Sequence, residues 1–157
     1  MLTQNEFTRA LEMYTDTVYR VAVTRLGNTD DAKDVTQDVL LKLYSAAPDF
    51  ESDAHMKNWL IRVTVNQCRM LFRSPWHRAV NIDDYAETLS DAPQVHNELL
   101  ASVMKLDQKY RVPLYLFYYE EYTVKEIASL LKLNENTVKT RLSRAKMRLR
   151  DLLEEEK

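Results

Sequence analysis

Glycine is almost missing from this chain: among 157 residues only Gly27 occurs. Loops that cradle phosphates and dinucleotide fingerprints need several glycines close together, and tight hairpins lean on them too. Nucleotide-binding enzymes of those types are therefore disfavoured, and a helical chain is favoured. Cysteine is equally scarce. Cys68 alone cannot close an internal disulfide, which fits a reducing compartment, and with His55, His77 and His96 it forms no spacing suited to a metal. No enzyme, metal or cofactor is expected. Long apolar runs are absent too: none approaches the roughly 20 residues that cross a bilayer, and the start, MLTQNEFTRA, has no basic end followed by an apolar core. The expectation is a cytoplasmic protein with no membrane insertion of its own.

What is present is helical spacing, with 45% hydrophobic residues to build a core or two small ones. Thr3 and Glu6 are placed as a capping box for a helix that runs to Leu26, and Gly27 stops it. A second helix is predicted from about Asp30 to Ser45. Pro48 to Asp53 reads as a loop, and a third helix from about Ala54 to Arg73 stops before Ser74 and Pro75. No period survives from Trp76 to Gln94, a stretch holding Asp83, Asp84, Glu87, Asp91 and Pro93. Helical spacing returns at about Val95, breaks near Asp107, resumes through Leu114 to Glu120, and gives two last helices, Thr123 to Leu131 and Glu135 to about Glu155. The expected fold is all-α: two small helical domains, residues 1–75 and 95–157, joined by a flexible acidic linker, 76–94.

Charge is segregated along the chain. The stretch NENTVKTRLSRAKMRLR, Asn134 to Arg150, holds six basic residues and one acid, Glu135, a net +5 in a chain of −2, so the remainder carries −7. At about 100° per residue, Val138, Leu142, Ala145, Leu149 and Leu152 form one apolar seam. The opposite face holds Asn136, Thr140, Ser143 and Met147, flanked by Lys139 and Arg144. Arg141 and Arg148 stand on one shoulder, Lys146 and Arg150 on the other, in reach of phosphates. Upstream, TVKE at Thr123 to Glu126 is a second capping box, and Lys132, Leu133 and Asn134 separate the two helices, with Asn134 as N-cap. This is the pattern of a helix-turn-helix whose second helix enters the major groove; it also suits a helical hairpin with a solvated basic side.

No acid occurs from Lys57 to Ile82. On the third helix Asn58, Arg62, Asn66, Arg69 and Arg73 fall on one cationic stripe that could track a nucleic-acid backbone, and Phe50, Trp59, Phe72 and Trp76 supply aromatic surfaces, for unpaired bases or for the core. On the second helix Asp31, Asp34, Asp38 and Lys42 line one side beside Gln37 and Leu41. Acids repel phosphates, so this side is read as facing a protein partner or water.

Taken in order, DAKDVTQDVLLKLY at Asp31 to Tyr44, NWLIRVTVNQCRMLFR at Asn58 to Arg73, and the stretch from Leu106 to Leu153 resemble bacterial sigma factors of the extracytoplasmic-function type. Stand-alone helix-turn-helix regulators could share the last motif but not the first two. The resemblance implies a promoter-specificity subunit for core RNA polymerase, with promoter DNA and an anti-sigma factor as further partners. It implies that the helix around Asp34, Gln37, Asp38 and Lys42 docks on the polymerase clamp. Phe50 and Asn66 would help form a pocket for a base flipped from the melted minus-ten strand, with Arg62, Arg69 and Arg73 near the DNA. Lys139, Thr140, Ser143 and Arg144 match the positions that face the minus-thirty-five element, and Asn136, Thr137, Arg141 and Arg148 complete that surface. Four positions depart from the family pattern, among them Ser143, which is small where some members carry larger side chains, so the promoter sequence does not carry over. Lys132 and Asn136 stand where glycine is common, so the turn has to form without it, and Met70 stands where aspartate is common.

Overall fold

A computed structural model of the chain describes residues 2–72 and 101–155, and every regular element among them is a helix. In chain order these are α1 (Gln4–Leu26), α2 (Thr29–Ala46), α3 (Asp53–Phe72), α4 (Gln108–Tyr118), α5 (Val124–Leu131) and α6 (Glu135–Glu155). Residues 101–103 are also helical. They divide into two compact units, one built on α1 to α3 and the other on α4 to α6. The linker acids, Arg73, Trp76, His77 and His96 lie outside the described residues. Among the described residues, no helix is long and apolar enough to cross a membrane.

The first unit follows from its apolar spacing. On α1, Ala10, Tyr14, Val18, Val21 and Ala22 are buried at the helical period, and α1 packs against α3, on which Met56, Leu60, Ile61, Val65 and Cys68 are buried. From α2, Ala32, Val35, Val39 and Leu43 complete the core. The α1 capping box forms as read: the Glu6 amide donates to Thr3 Oγ1 at 3.1 Å and the Thr3 amide to Glu6 Oε1 at 3.3 Å. Gly27, at φ 71°, then turns the chain into α2 through a left-handed conformation that costs glycine nothing. Two buried hydroxyls satisfy themselves on their own helices, Thr36 on the Ala32 carbonyl at 2.7 Å and Thr64 on the Leu60 carbonyl at 2.6 Å.

In the second unit α6 packs along α4 and α5. Helix α4 begins at Gln108, six residues before the expected start at Leu114. Pro113 lies inside it and is buried. Lacking an N–H, it removes one i→i−4 bond from the helix ladder. Glu121, at φ 57°, turns the chain from α4 toward α5. The α5 capping box is complete, with Glu126 N to Thr123 Oγ1 at 3.1 Å and Thr123 N to Glu126 Oε1 at 3.0 Å.

Two predictions follow from these elements. Lys132 ends α5 in the left-handed region, at φ 56° and ψ 46°, where a Cβ costs roughly 1 kcal/mol. Lys132→Gly should therefore raise the stability of the second unit by roughly 0.5–1 kcal/mol in urea denaturation; a loss of stability would show that the lysine side chain is needed there. The Cys68 thiol is fully buried, and burial, opposed only in part by Arg25, pushes it up from 9.0 to about 12. Between those values the folded chain keeps a proton that the unfolded chain releases, so folding stability falls as pH rises, by up to about 1.4 kcal/mol per pH unit. Denaturation series from pH 9 to 11 should show a shallower decline for Cys68→Ala than for the native chain.

Candidate nucleic-acid interface

Three residues make the turn between α5 and α6, and hydrogen bonds close it at both ends. The Lys132 and Leu133 amides both donate to the Ala128 carbonyl, the latter at 2.9 Å, which closes the end of α5. Asn134 Oδ1 accepts from the Thr137 amide at 3.1 Å and the Asn134 carbonyl from Val138 at 3.1 Å, which starts α6. Of the two positions where the family favours glycine, only Lys132 takes a left-handed conformation. Asn136 sits in the first turn of α6, where no glycine is required.

With its start fixed, α6 is oriented by its seam. Val138, Leu142 and Ala145 are buried and Leu149 and Leu152 are half-buried, so each apolar position read from the sequence faces inward. Burial of a valine or leucine side chain contributes roughly 1.5–3 kcal/mol, enough to decide the helix's rotation. The consequence is that Asn136, Lys139, Thr140, Ser143, Arg144 and Met147 are all exposed on the far side, with Thr137 and Arg141 at its edge. Met147 is 64% exposed, an apolar side chain among hydrogen-bonding ones.

The shoulders differ from each other in a way the helical wheel does not show. A cavity of about 400 Å³ is lined by Asn134, Asn136, Thr137, Thr140, Arg141 and Arg144 together with Lys109 and Tyr110 from the start of α4. Lys109 therefore adds a cation to the basic face; the sequence offers it only as a lone lysine after Asp107. The Arg148 guanidinium lies 5.8 Å from the Tyr110 ring centre, a cation–π contact that restrains it. Lys146 and Arg150 instead line an apolar cavity of about 500 Å³ with Val103, Leu114, Tyr118, Leu149 and Leu153. Lys146 Nζ stands 5.7 Å from the Phe117 ring and 5.5 Å from that of Tyr118.

On α3, Asn66 is exposed, and Arg62 and Arg69 are half-buried. Met70, which departs from the family pattern, is 63% exposed and takes no place in the core. Phe50 is held edge-to-face against His55 at 5.3 Å and Trp59 at 5.6 Å. The cavity at Phe50, about 250 Å³, is lined by α1 residues, the 48–52 loop, Asp53 and Met56, and does not include Asn66. His55 has a structural task there: its Nδ1 accepts from the Glu51 amide at 3.1 Å. No cluster among the described residues is placed to hold a metal ion.

On α2, Asp34, Gln37, Asp38 and Lys42 are exposed along one side, with Leu41 at 58% and Tyr44 at 56% beside them. Gln67 of α3 organises part of this face. Lys42 Nζ donates to Gln67 Oε1 at 2.8 Å, and Gln67 Nε2 donates to Asp38 Oδ2 at 3.4 Å. Sequence reasoning missed Gln67, although an amide within about 20° of Leu60 on an otherwise apolar side of α3 was a usable signal.

Comparison with known proteins covers both units. Residues 10–78 match Sigma-70 region 2, and residues 96–149 match Sigma-70, region 4. The ECF RNA polymerase sigma factor SigW of Bacillus subtilis is 25% identical over 96% of this chain and 90% of its own length. SigM of Mycobacterium tuberculosis, also named an ECF RNA polymerase sigma factor, is 30% identical over 87% of this chain and 71% of its own. A likeness of fold, at 20% identity and a TM-score of 0.75, extends over 96% of this chain and 98% of the sigma factor RpoE from Bartonella quintana, solved in complex with the anti-sigma factor NepR. With both regions present in order and a relative at 30% identity matched along most of its length, the chain belongs to the sigma-70 family, among the RNA polymerase sigma factors of the extracytoplasmic-function type.

Proposed function

We propose that this sigma factor binds core RNA polymerase through α2, reads the minus-thirty-five element with α6, and holds the melted minus-ten strand on α3. The observation that carries this reading is the sorting of α6: its apolar seam is buried while Asn136, Lys139, Thr140, Ser143 and Arg144 all stand exposed on one side. A recognition helix needs that arrangement, with side chains that donate and accept hydrogen bonds toward base edges and cations toward the flanking phosphates. Arg141, Arg148 and Lys109 are assigned to phosphates. Arg62, Asn66 and Arg69 of α3 are assigned to the melted strand together with Phe50, and Arg73, the next basic residue in the chain, is assigned with them.

The α2 side suits a protein and not DNA. Asp34 and Asp38 would repel phosphates, while exposed Leu41 and Tyr44 offer apolar area inside a polar rim. Domains at 1–75 and 95–157, with the acidic segment 76–94 as a tether between them, would let the two DNA-reading surfaces reach two separate elements. An anti-sigma factor is proposed as a further partner. The solved neighbour bound to NepR supports it, as does the apolar cavity bordered by Tyr118, Leu149 and Leu153, a surface that a partner's helix would bury. The setting is the cytoplasm, where the promoter is.

The interface assignments separate in binding experiments. Asp38→Arg should weaken the complex with core polymerase at least about tenfold, because a like charge is brought against the partner and the Gln67 bridge is broken. Unchanged affinity would remove α2 from the polymerase interface. Arg144→Ala should cost about 1–3 kcal/mol on the cognate upstream element and relax base preference there. Arg148→Ala should weaken all sequences evenly and lower the salt dependence by about one charge. A base-specific loss at Arg148 would overturn its assignment to phosphate.

A further inference from the structure

The start of α3 is tied to α1 by a contact that none of the roles above employs. Asp53 is the first residue of α3, and Arg9 reaches it from α1 with both prongs of its guanidinium: Nη1 to Oδ1 at 3.2 Å and Nη2 to Oδ2 at 3.0 Å. The Tyr14 hydroxyl adds a third bond, donating to the Asp53 carbonyl at 3.2 Å. Tyr14 is 7% exposed, and burial, then the Asp53 carboxylate, raise its pKa, so it stays protonated as a donor. A two-pronged fork fixes orientation as well as distance.

From Asp53 a run of short contacts leads to Phe50. Ser52 Oγ caps α3 by accepting from the His55 amide at 3.1 Å, and His55 Nδ1 accepts from the Glu51 amide. The Phe50 ring then rests on His55 and Trp59. Arg9, Tyr14 and Phe50 share the walls of the same cavity. The Arg9 and Asp53 side chains are 62% and 49% exposed, and ion pairs so open to water contribute little to folding stability. A fork closed between residues 44 apart in sequence, beside the loop that carries Phe50, acts on geometry more than on stability.

We propose that Arg9 and Asp53 are positioning residues for single-strand recognition: their fork, with the Tyr14 bond, holds the start of α3 against α1 and presets the Phe50 loop for the unpaired minus-ten strand. The inference rests on the reading that Phe50 contacts that strand. It is tested by measuring the affinity of the full-length protein, assembled with core polymerase, for a fluorescent single-stranded minus-ten oligonucleotide.

Arg9→Ala should weaken binding about threefold or more, and Arg9→Lys, which keeps the charge but not the fork, should fall between it and the native protein. Asp53→Asn should weaken binding as well, although it removes a negative charge near DNA, because an amide offers one acceptor where the fork needs two. The double variant should be no worse than the poorer single one, with polymerase affinity and thermal melting unchanged. Tighter binding by Asp53→Asn would overturn the proposal by making Arg9 a direct phosphate contact. A fall in melting temperature or polymerase affinity in step with the oligonucleotide affinity would also overturn it, by reducing the fork to a structural prop. If Phe50→Ala weakens binding and the fork variants do not, the positioning role fails alone. If Phe50→Ala is itself without effect, the reading beneath it fails, and the positioning role with it.

Discussion

The turn at Lys132 to Asn134 is the constraint on which the basic surface depends. Helix α5 is only eight residues long and fixes its own start with a capping box, so its end point is set before α6 begins. The left-handed Lys132 and the Asn134 cap then allow one direction for α6, and the buried Val138, Leu142 and Ala145 allow one rotation. Nothing on the outer face has to hold the helix. Its side chains are free to be chosen for what they touch outside the protein, and all but Met147 are polar or cationic.

The same division of labour sets the charge pattern. A net −2 suggests no affinity for DNA, yet cations stand together on α6 and α3 while half of the 24 acids occupy α2, the 83–91 stretch and the C-terminal end. A polypeptide that must dock on a protein and on a polyanion at once needs its two signs kept apart, since an acid beside a phosphate contact cancels it. The rims differ in the same sense. Arg141 lines a cavity of mixed character with Asn134, Asn136, Thr137 and Thr140, whereas Lys146 and Arg150 lie along an apolar one beside Phe117 and Tyr118, so cations of one helix serve two kinds of surface.

Much of this was legible in the sequence, because the features that are local in the chain are also local in space. Both capping boxes, the Gly27 stop, the α6 seam and the bounds of α6 could be read from spacings of three and four residues, and the all-α fold with them. The start of α4 was not: the apolar spacing breaks near Asp107 and resumes at Leu114, yet tertiary packing carries the helix from Gln108 through a buried Pro113. Lys109 and the Arg9 fork lay out of reach for a different reason. Each acquires its meaning from a partner on another helix, and a single sequence carries no record of that pairing. The cavity at Phe50 is likewise completed by α1 residues, Arg9 and Tyr14 among them, which no spacing along the chain connects to it.

Sigma factors are initiation factors, and in the proposed function the two DNA-reading surfaces of this one act together only when a polymerase joins them. The most direct measurement is therefore transcription from a promoter library by purified core polymerase with and without this protein, followed by sequencing of the templates that yield transcripts. The account predicts that adding the protein selects templates sharing two short elements, one upstream read as duplex and one at the melted start. Selection of no shared element, or of the upstream one alone with no gain in initiated transcripts, would contradict it.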